Sequence, residues 1–292
     1  MTRQPPRGDA PALFTSIASL RAWLAERRHT GSVGFVPTMG ALHEGHASLI
    51  RMARERDATV VVSIFVNPLQ FDRKDDLDRY PRTLVADLAL CGGHDADAVF
   101  APAPAEMYPE PPLTSISPGP LGDHLCGASR PGHFAGVATV VMKLFQIVQP
   151  DRAYFGEKDA QQLAIIRRLV ADFNVPVEVV GAPTVREADG LAMSSRNRRL
   201  TAKGRQSGLA LVKAIWTTVH ALSTGSGVAA AREAGAATVP ADGSVRLEYL
   251  EVVDTVTMQP VGHVERPALV AGALWVDGVR LIDNMPVNPP GR

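Results

Sequence analysis

The run Val60 to Val66 (VVVSIFV) is apolar at every position but Ser63, and most of its side chains are β-branched. A strand with one wet face alternates apolar and polar residues. A strand with no alternation fits a parallel sheet covered on both faces. The neighbouring segments continue that reading. Val33 to Val36 is a second short apolar run, ended by Pro37. Leu49, Ile50 and Ala53 predict a helix running to about Arg56, and Thr83 to Leu90 predicts another. Ala98 to Phe100, Ala153 to Phe155 and Val177 to Val180 read as extended. Val137 to Val148 reads as an apolar helix, and Gln161 to Phe173 as an amphipathic one through Leu163, Ile166, Leu169, Val170 and Phe173. Upstream, Ile17, Leu20, Trp23 and Leu24 place a helix over Leu13 to Arg28. Alternating strands and helices at this spacing predict an α/β fold, an open and mostly parallel sheet.

The stretch Pro102 to Pro120 holds seven prolines and is expected to be mostly loop. The texture changes near Pro183 to Asn197. A helix over Lys203 to Ser223 follows, then a Gly-Ser-Gly break at 225–227 and a small-residue helix over Val228 to Ala237. Three strand-like runs close the chain: Arg246 to Val253, Ala268 to Trp275 and Val279 to Ile282. Helices followed by clustered strands predict a smaller α+β domain. The expected division is a first domain over residues 1–185 and a second over residues 186–292, with a loose polar tail over the first ten residues.

Thirty basic and 30 acidic residues give no net charge, and 46% of residues are apolar. That balance excludes intrinsic disorder, and it leaves no cationic excess for general nucleic-acid binding. Cys91 and Cys126 are too few for a disulfide framework and lack metal-ligand spacing. The longest apolar run, Ala58 to Val66, has nine residues, whereas a spanning helix needs roughly 20. The start of the chain has no apolar stretch that would act as a secretory signal. A cytoplasmic protein with no membrane partner is expected.

Four clusters carry chemistry. Pro37 to His46 (PTMGALHEGH) joins a predicted strand to a predicted helix, where free N–H groups and the helix dipole favour phosphates. Gly40 and Gly45 permit close backbone approach, and His43 and His46 are spaced to face one way and donate to phosphate oxygens. Asn67 and Gln70 follow the strongest strand and carry both donors and acceptors, suited to hydroxyl and carboxylate groups; a plain Asn-Pro turn explains them equally well. Gly156 to Gln162 (GEKDAQQ) again joins a strand to a helix. Lys158 offers a phosphate a point charge, while Asp159 and Gln162 have capping-box spacing. Gly190 to Asn197 (GLAMSSRN) lies at the domain boundary, with two hydroxyls and a guanidinium suited to a triphosphate; a Ser/Asn linker before a basic helix start explains it equally well.

Taken in order, PTMGALHEGH, FVNPLQF, RYPRTL, RPGHFAGVATVV, FGEKDAQQL and LAMSSRN resemble the pantoate–β-alanine ligase (pantothenate synthetase) family of the HIGH-motif nucleotidyltransferases, from about Ser16 to Leu281. The resemblance implies a Rossmann-like first domain, a small C-terminal lid domain and a homodimer. It implies that ATP activates (R)-pantoate to a pantoyl adenylate, which β-alanine then attacks to give pantothenate and AMP. His43, His46, Lys158 and Arg196 would be catalytic. ATP would lie on Met39, Gly40, Ala41, Leu42, His43, Glu44, Gly45 and His46, on Gly156, Glu157, Lys158 and Asp159, and on Val185, Met193, Ser194, Ser195 and Arg196. Gln70, Asn67, Gln162, Arg130 and His133 would bind the acid and the amine. Mg²⁺ would accompany ATP, with Asp87 as a metal contact. Leu90, one helical turn on, is no ligand, so ATP oxygens and water would hold most of the ion. Ala160 stands where the family usually has an aromatic, and Cys126 where it often has Glu; both bear on local packing. Two other readings stay open: a nucleotidyltransferase acting on a phosphorylated alcohol, and a nucleotide-binding module without turnover.

Overall fold

A computed structural model describes residues 10–289. The tail expected over the first ten residues lies outside the described residues, except for Ala10. The chain divides into two compact units. The first comprises the chain up to Pro118, Pro131–Glu157 and Ile165–Pro183; the second comprises Gly119–Arg130, Lys158–Ala164 and the chain from Thr184 onward. Beyond the boundary expected near 185, two earlier segments therefore group with the second unit.

The first unit holds a six-stranded parallel sheet. Its strands are β1 (Ala12–Phe14), β2 (Val33–Thr38), β3 (Thr59–Ile64), β4 (Ala98–Phe100), β5 (Arg152–Gly156) and β6 (Glu178–Ala182), in the order β1-β4-β3-β2-β5-β6. The apolar run read from the sequence is β3, which lies between β2 and β4. Val60, Val61 and Val62 are fully buried, so both of its faces are covered. Val60 and Val62 share a core with Val36, Val99 and Tyr154, against Leu49, Ile50 and Ala53 of the helix Glu44–Arg56. Burying each such side chain contributes about 1.5–3 kcal/mol. The opposite face meets the helix His133–Val148, which also packs on Ile17–Arg27. That helix begins earlier than its apolar run because Gly132, in a left-handed conformation, starts it four residues upstream of Val137.

The expected helix over Leu13 to Arg28 is corrected in its first turn. Ala12–Phe14 is an edge strand, paired with β4 through Phe14 and Phe100. The helix starts after Ser16, whose Oγ accepts the N–H of Ser19. The strand order places the site: from β2 the chain runs to β3 and β4 on one side, then returns to β5 and β6 on the other. Ligands of open α/β sheets bind outside the carboxyl ends of the strands at such a reversal. Here those ends are Thr38 and Gly156.

The second unit is built on a three-stranded antiparallel sheet, β7 (Arg246–Asp254), β8 (Ala268–Val276) and β9 (Val279–Val287). A two-residue turn, Asp277-Gly278, joins β8 to β9; both residues have positive φ (52° and 70°), as a tight hairpin between right-twisted strands requires. The helices Ala202–Ser223 and Val228–Ala236 cover it with a core that includes Leu211, Ile215, Val270 and Leu274, all fully buried. Among the described residues, no helix is long and apolar enough to cross a membrane.

Candidate active site

The turn after β2 is fixed before any ligand arrives. Thr38 Oγ1 donates to the Ser63 carbonyl (2.7 Å) and accepts the Gly40 N–H (3.2 Å). Gly40 has φ +84°, and a Cβ there would lie 3.0 Å from Ile64 and 3.1 Å from Asp87 Oδ2, so only glycine fits without strain. Ala41 is also left-handed, at φ +52°. Such a residue costs about 1–3 kcal/mol and persists only where its surroundings hold it. Asp87 holds it. Its carboxylate accepts the N–H of Ala41 (3.0 Å) and of Leu42 (2.8 Å), with the Thr83 hydroxyl 3.2 Å from both oxygens. Burial, and secondarily the Asp87 carboxylate, pushes the nearby Cys91 thiol up to about 12. Cys91 therefore stays an inert thiol.

His43 is the N-cap of the helix Glu44–Arg56. Its Nδ1 accepts the Gly45 N–H (3.2 Å), and His46 Nδ1 accepts the His43 N–H (3.3 Å). The H-x-x-H pair is thus also a reciprocal helix cap. The arrangement has a chemical consequence: with Nδ1 an acceptor in each ring, the proton of the neutral imidazole sits on Nε2. Both half-buried rings, 4.1 Å apart between centroids, then carry Nε2–H donors at a positive helix end.

Beyond β3, Gln70 is buried and its Nε2 donates to Met39 Sδ (3.1 Å), joining this segment to the turn after β2. Asn67 is only 1% exposed. Its Nδ2 donates to Gln70 Oε1 (3.1 Å) and to the Gly136 carbonyl (3.1 Å). Its Oδ1 accepts from the Leu69 N–H (3.3 Å) and the Tyr108 hydroxyl (3.0 Å). Two donors and two acceptors complete an amide's capacity. In this structure the Asn67 side chain holds the turn and aims Gln70. Burial pushes the Tyr108 phenol up to about 12, which keeps it a donor. His133 Nδ1 lies 2.8 Å from the Gln70 carbonyl, a second support for the same residue. A Cβ on Gly136 would come within 2.3 Å of the Leu69 carbonyl oxygen, so the helix and this turn meet backbone to backbone.

The other expected residues lie in the second unit, apart from Gly156 and Glu157 at the end of β5, Asn67, Gln70 and His133. Lys158 Nζ is 3.6 Å from Asp159, and the Lys158 carbonyl accepts from Asn284 Nδ2 (2.9 Å). Gln162 is half-buried, whereas its neighbour Gln161 is buried. Gln161 donates to the carbonyls of Leu121 and His124 (2.8 Å each) and accepts the Cys126 N–H (3.1 Å). These contacts join Lys158–Ala164 to Gly119–Arg130, the segment that ends with Arg130. Val185 and Met193 pair through backbone (2.9 Å) beside the Arg186–Ala192 bridge. Ser194 then caps the short helix Ser195–Arg199 by accepting the Arg196 N–H. Asn197 secures this hairpin to that helix, donating to Glu187 (2.6 Å) and to the Ala192 carbonyl (3.1 Å). Where Cys126 stands, Arg280 donates to its Sγ (3.4 Å), and Glu248 balances the guanidinium at 2.7 Å. Burial alone would raise the Glu248 carboxyl; Arg280 foremost pulls it down to about 2.

Among the described residues no group of three or more His, Cys, Asp or Glu is placed to hold a metal ion. Asp87, the expected metal contact, commits both oxygens to the loop. The described side chains thus form no all-protein cage for Mg²⁺, and Asp87 could reach the ion only by giving up a loop contact.

Comparison with known proteins agrees with this fold. The Pantoate-beta-alanine ligase family matches residues 12–286. The pantothenate synthetase of Acidothermus cellulolyticus is 52% identical over 292 residues, covering 98% of this chain and 95% of that one. A crystal structure of pantothenate synthetase from Thermus thermophilus superposes with a TM-score of 0.90 at 46% identity, over 95% of this chain and 100% of that one. The pantoate-beta-alanine ligase of Francisella tularensis, complexed with β,γ ATP and β-alanine, gives a TM-score of 0.77 at 34% identity, covering 94% of this chain and 97% of that one.

Proposed function

The chain belongs to the pantoate-beta-alanine ligase family, and from that membership we infer its reaction: ATP-dependent condensation of (R)-pantoate with β-alanine to pantothenate, AMP and pyrophosphate, through a pantoyl adenylate. The pantoate carboxylate attacks the α-phosphorus and pyrophosphate leaves. The β-alanine amine then attacks the acyl carbon and AMP leaves. No covalent bond to the protein is needed, so its contribution is positioning and neutralisation of charge.

The observation that carries this reading is the His43–His46 cap at the start of the helix Glu44–Arg56, each Nδ1 accepting a backbone N–H, beside the reversal in the sheet. In the first unit, we assign Met39 to His46 with Gly156 and Glu157 to ATP, His43 and His46 being the phosphate donors. Gln70, aimed by Asn67 and His133, takes pantoate and β-alanine. In the second unit, Lys158 and Arg196 are the cations for nucleotide phosphates, with Asp159, Val185, Met193, Ser194 and Ser195 as further nucleotide contacts. Gln162 and Arg130 are assigned to the acid. Mg²⁺ enters as the counter-ion of ATP, held by phosphate oxygens and water. The working form in this reading is a cytoplasmic homodimer.

Product analysis tests the assignment against the other two classes. With ATP, pantoate and β-alanine present, AMP, pyrophosphate and amide should form in equal amounts. A nucleotide ester formed without amine would make the chain a plain nucleotidyltransferase. ATP binding without turnover would make it a binding module. ADP as product would mean an acyl phosphate.

A further inference from the structure

We propose that Asp87 is a positioning residue for the phosphate-binding turn and not a ligand of the magnesium ion. The inference rests on the reading that Met39 to His46 holds ATP. Asp87 is 2% exposed at the first turn of the helix Leu84–Gly93. Its oxygens are met by two backbone N–H groups, one each from Ala41 and Leu42, and by the hydroxyl of Thr83. Each donor hydrogen sits where a cation would have to approach, and its positive charge opposes one. Among the described residues, Asp87 belongs to no group of three or more His, Cys, Asp or Glu that could hold a metal ion. Mg²⁺ demands near-ideal octahedral oxygen geometry and gives up its waters reluctantly, so a buried carboxylate that already accepts from three donors is a poor ligand.

The same contacts give the carboxylate a different task. Gly40 and Ala41 both lie at positive φ, and Asp87 grips the N–H groups of Ala41 and Leu42 at this reversal. The next residue is His43, whose ring and backbone set the reciprocal cap with His46. The chain from Asp87 to the two Nε2–H donors is therefore one loop and one helix cap, with Thr83 fixing the carboxylate from behind. Asp87 acts through these histidines and touches no reacting atom.

Calorimetric titration of ATP into the full chain, once with Mg²⁺ and once with excess EDTA, separates the two roles. The readout is the ratio of variant to wild-type affinity in each condition. Asp87→Asn keeps one acceptor oxygen and turns an amide against the other N–H. It should weaken ATP binding by about tenfold or more, the scale for hydrogen bonds to a charged group, and by the same factor in both conditions. Asp87→Glu, which restores the charge one methylene too far out, should not rescue binding. The KM for pantoate should change by a smaller factor, because Asn67 and His133 hold Gln70 beside its contact to Met39 of the turn; a general loss of fold would move both constants alike. Thr83→Val should show a smaller loss, again equal in both conditions, and carries the test if the Asp87 variants do not fold. A loss confined to the Mg²⁺ titration, rescue by Asp87→Glu, or unchanged affinity throughout would overturn the proposal. If the wild-type chain itself binds no ATP in either condition, the phosphate-site reading fails instead.

Discussion

Replacing His46 by alanine should slow adenylate formation by roughly 10²–10³-fold, the cost of removing one preorganised donor from a developing charge. The capping geometry sharpens this expectation. His46 Nδ1 accepts the His43 N–H, so the variant loses half of the reciprocal cap together with an Nε2–H donor. The stability loss should be roughly 1 kcal/mol, as for other N-cap contacts, because the ring is half-buried and fills no core. Single-turnover rates of adenylate formation measured beside thermal melts distinguish these effects. A slow but well-folded variant places His46 in the chemistry. A rate near that of the wild type would assign the histidine to capping alone.

Lys158→Ala should lower kcat/KM for ATP by about 10²-fold or more, the same scale of lost charge stabilisation. The fold should be nearly indifferent. The ion pair of the half-buried Lys158 with the half-exposed Asp159 is long, at 3.6 Å, and pairs open to solvent on one side contribute only about 0–1 kcal/mol. The Lys158 contact that secures the segment is its carbonyl, which Asn284 holds and which alanine retains. Steady-state kinetics with ATP and with pantoate varied in turn should show the ATP constants affected at least as much as those for pantoate. Unchanged ATP kinetics would remove Lys158 from the phosphate contacts.

Much of the fold is legible in the sequence because its signals are local. The apolar run of β3, interrupted only by Ser63, demands cover on both faces, and the clusters after β2 and β5 stand at strand ends beside the reversal of the sheet. The ends of single elements are less legible. Ala12–Phe14 carries no alternation of its own, and only pairing with Phe100 makes it a strand. The division into units is blurred by contacts between residues far apart in sequence. Gln161 binds the carbonyls of Leu121 and His124, so the segment after β5 groups with a loop some forty residues earlier.

The site is legible at the level of residue types and less so at the level of roles. The sequence makes Asn67 a candidate ligand contact, yet Tyr108, from within the proline-rich stretch, and Gly136 complete its hydrogen bonds. Nothing in the spacing of those residues announces the contact. Asp87, expected at the metal, holds the turn that precedes His43. In both cases a polar side chain near a motif supports a neighbour, a distinction that depends on which donors and acceptors the fold has already used.

The central claim is that an acyl adenylate forms before the amine is needed, and pyrophosphate exchange tests it most directly. With ATP, pantoate and Mg²⁺ present and β-alanine absent, labelled pyrophosphate should enter ATP, because the first half-reaction is complete and reversible by itself. Exchange that depends strictly on β-alanine, or ADP appearing as the product, would contradict the mechanism.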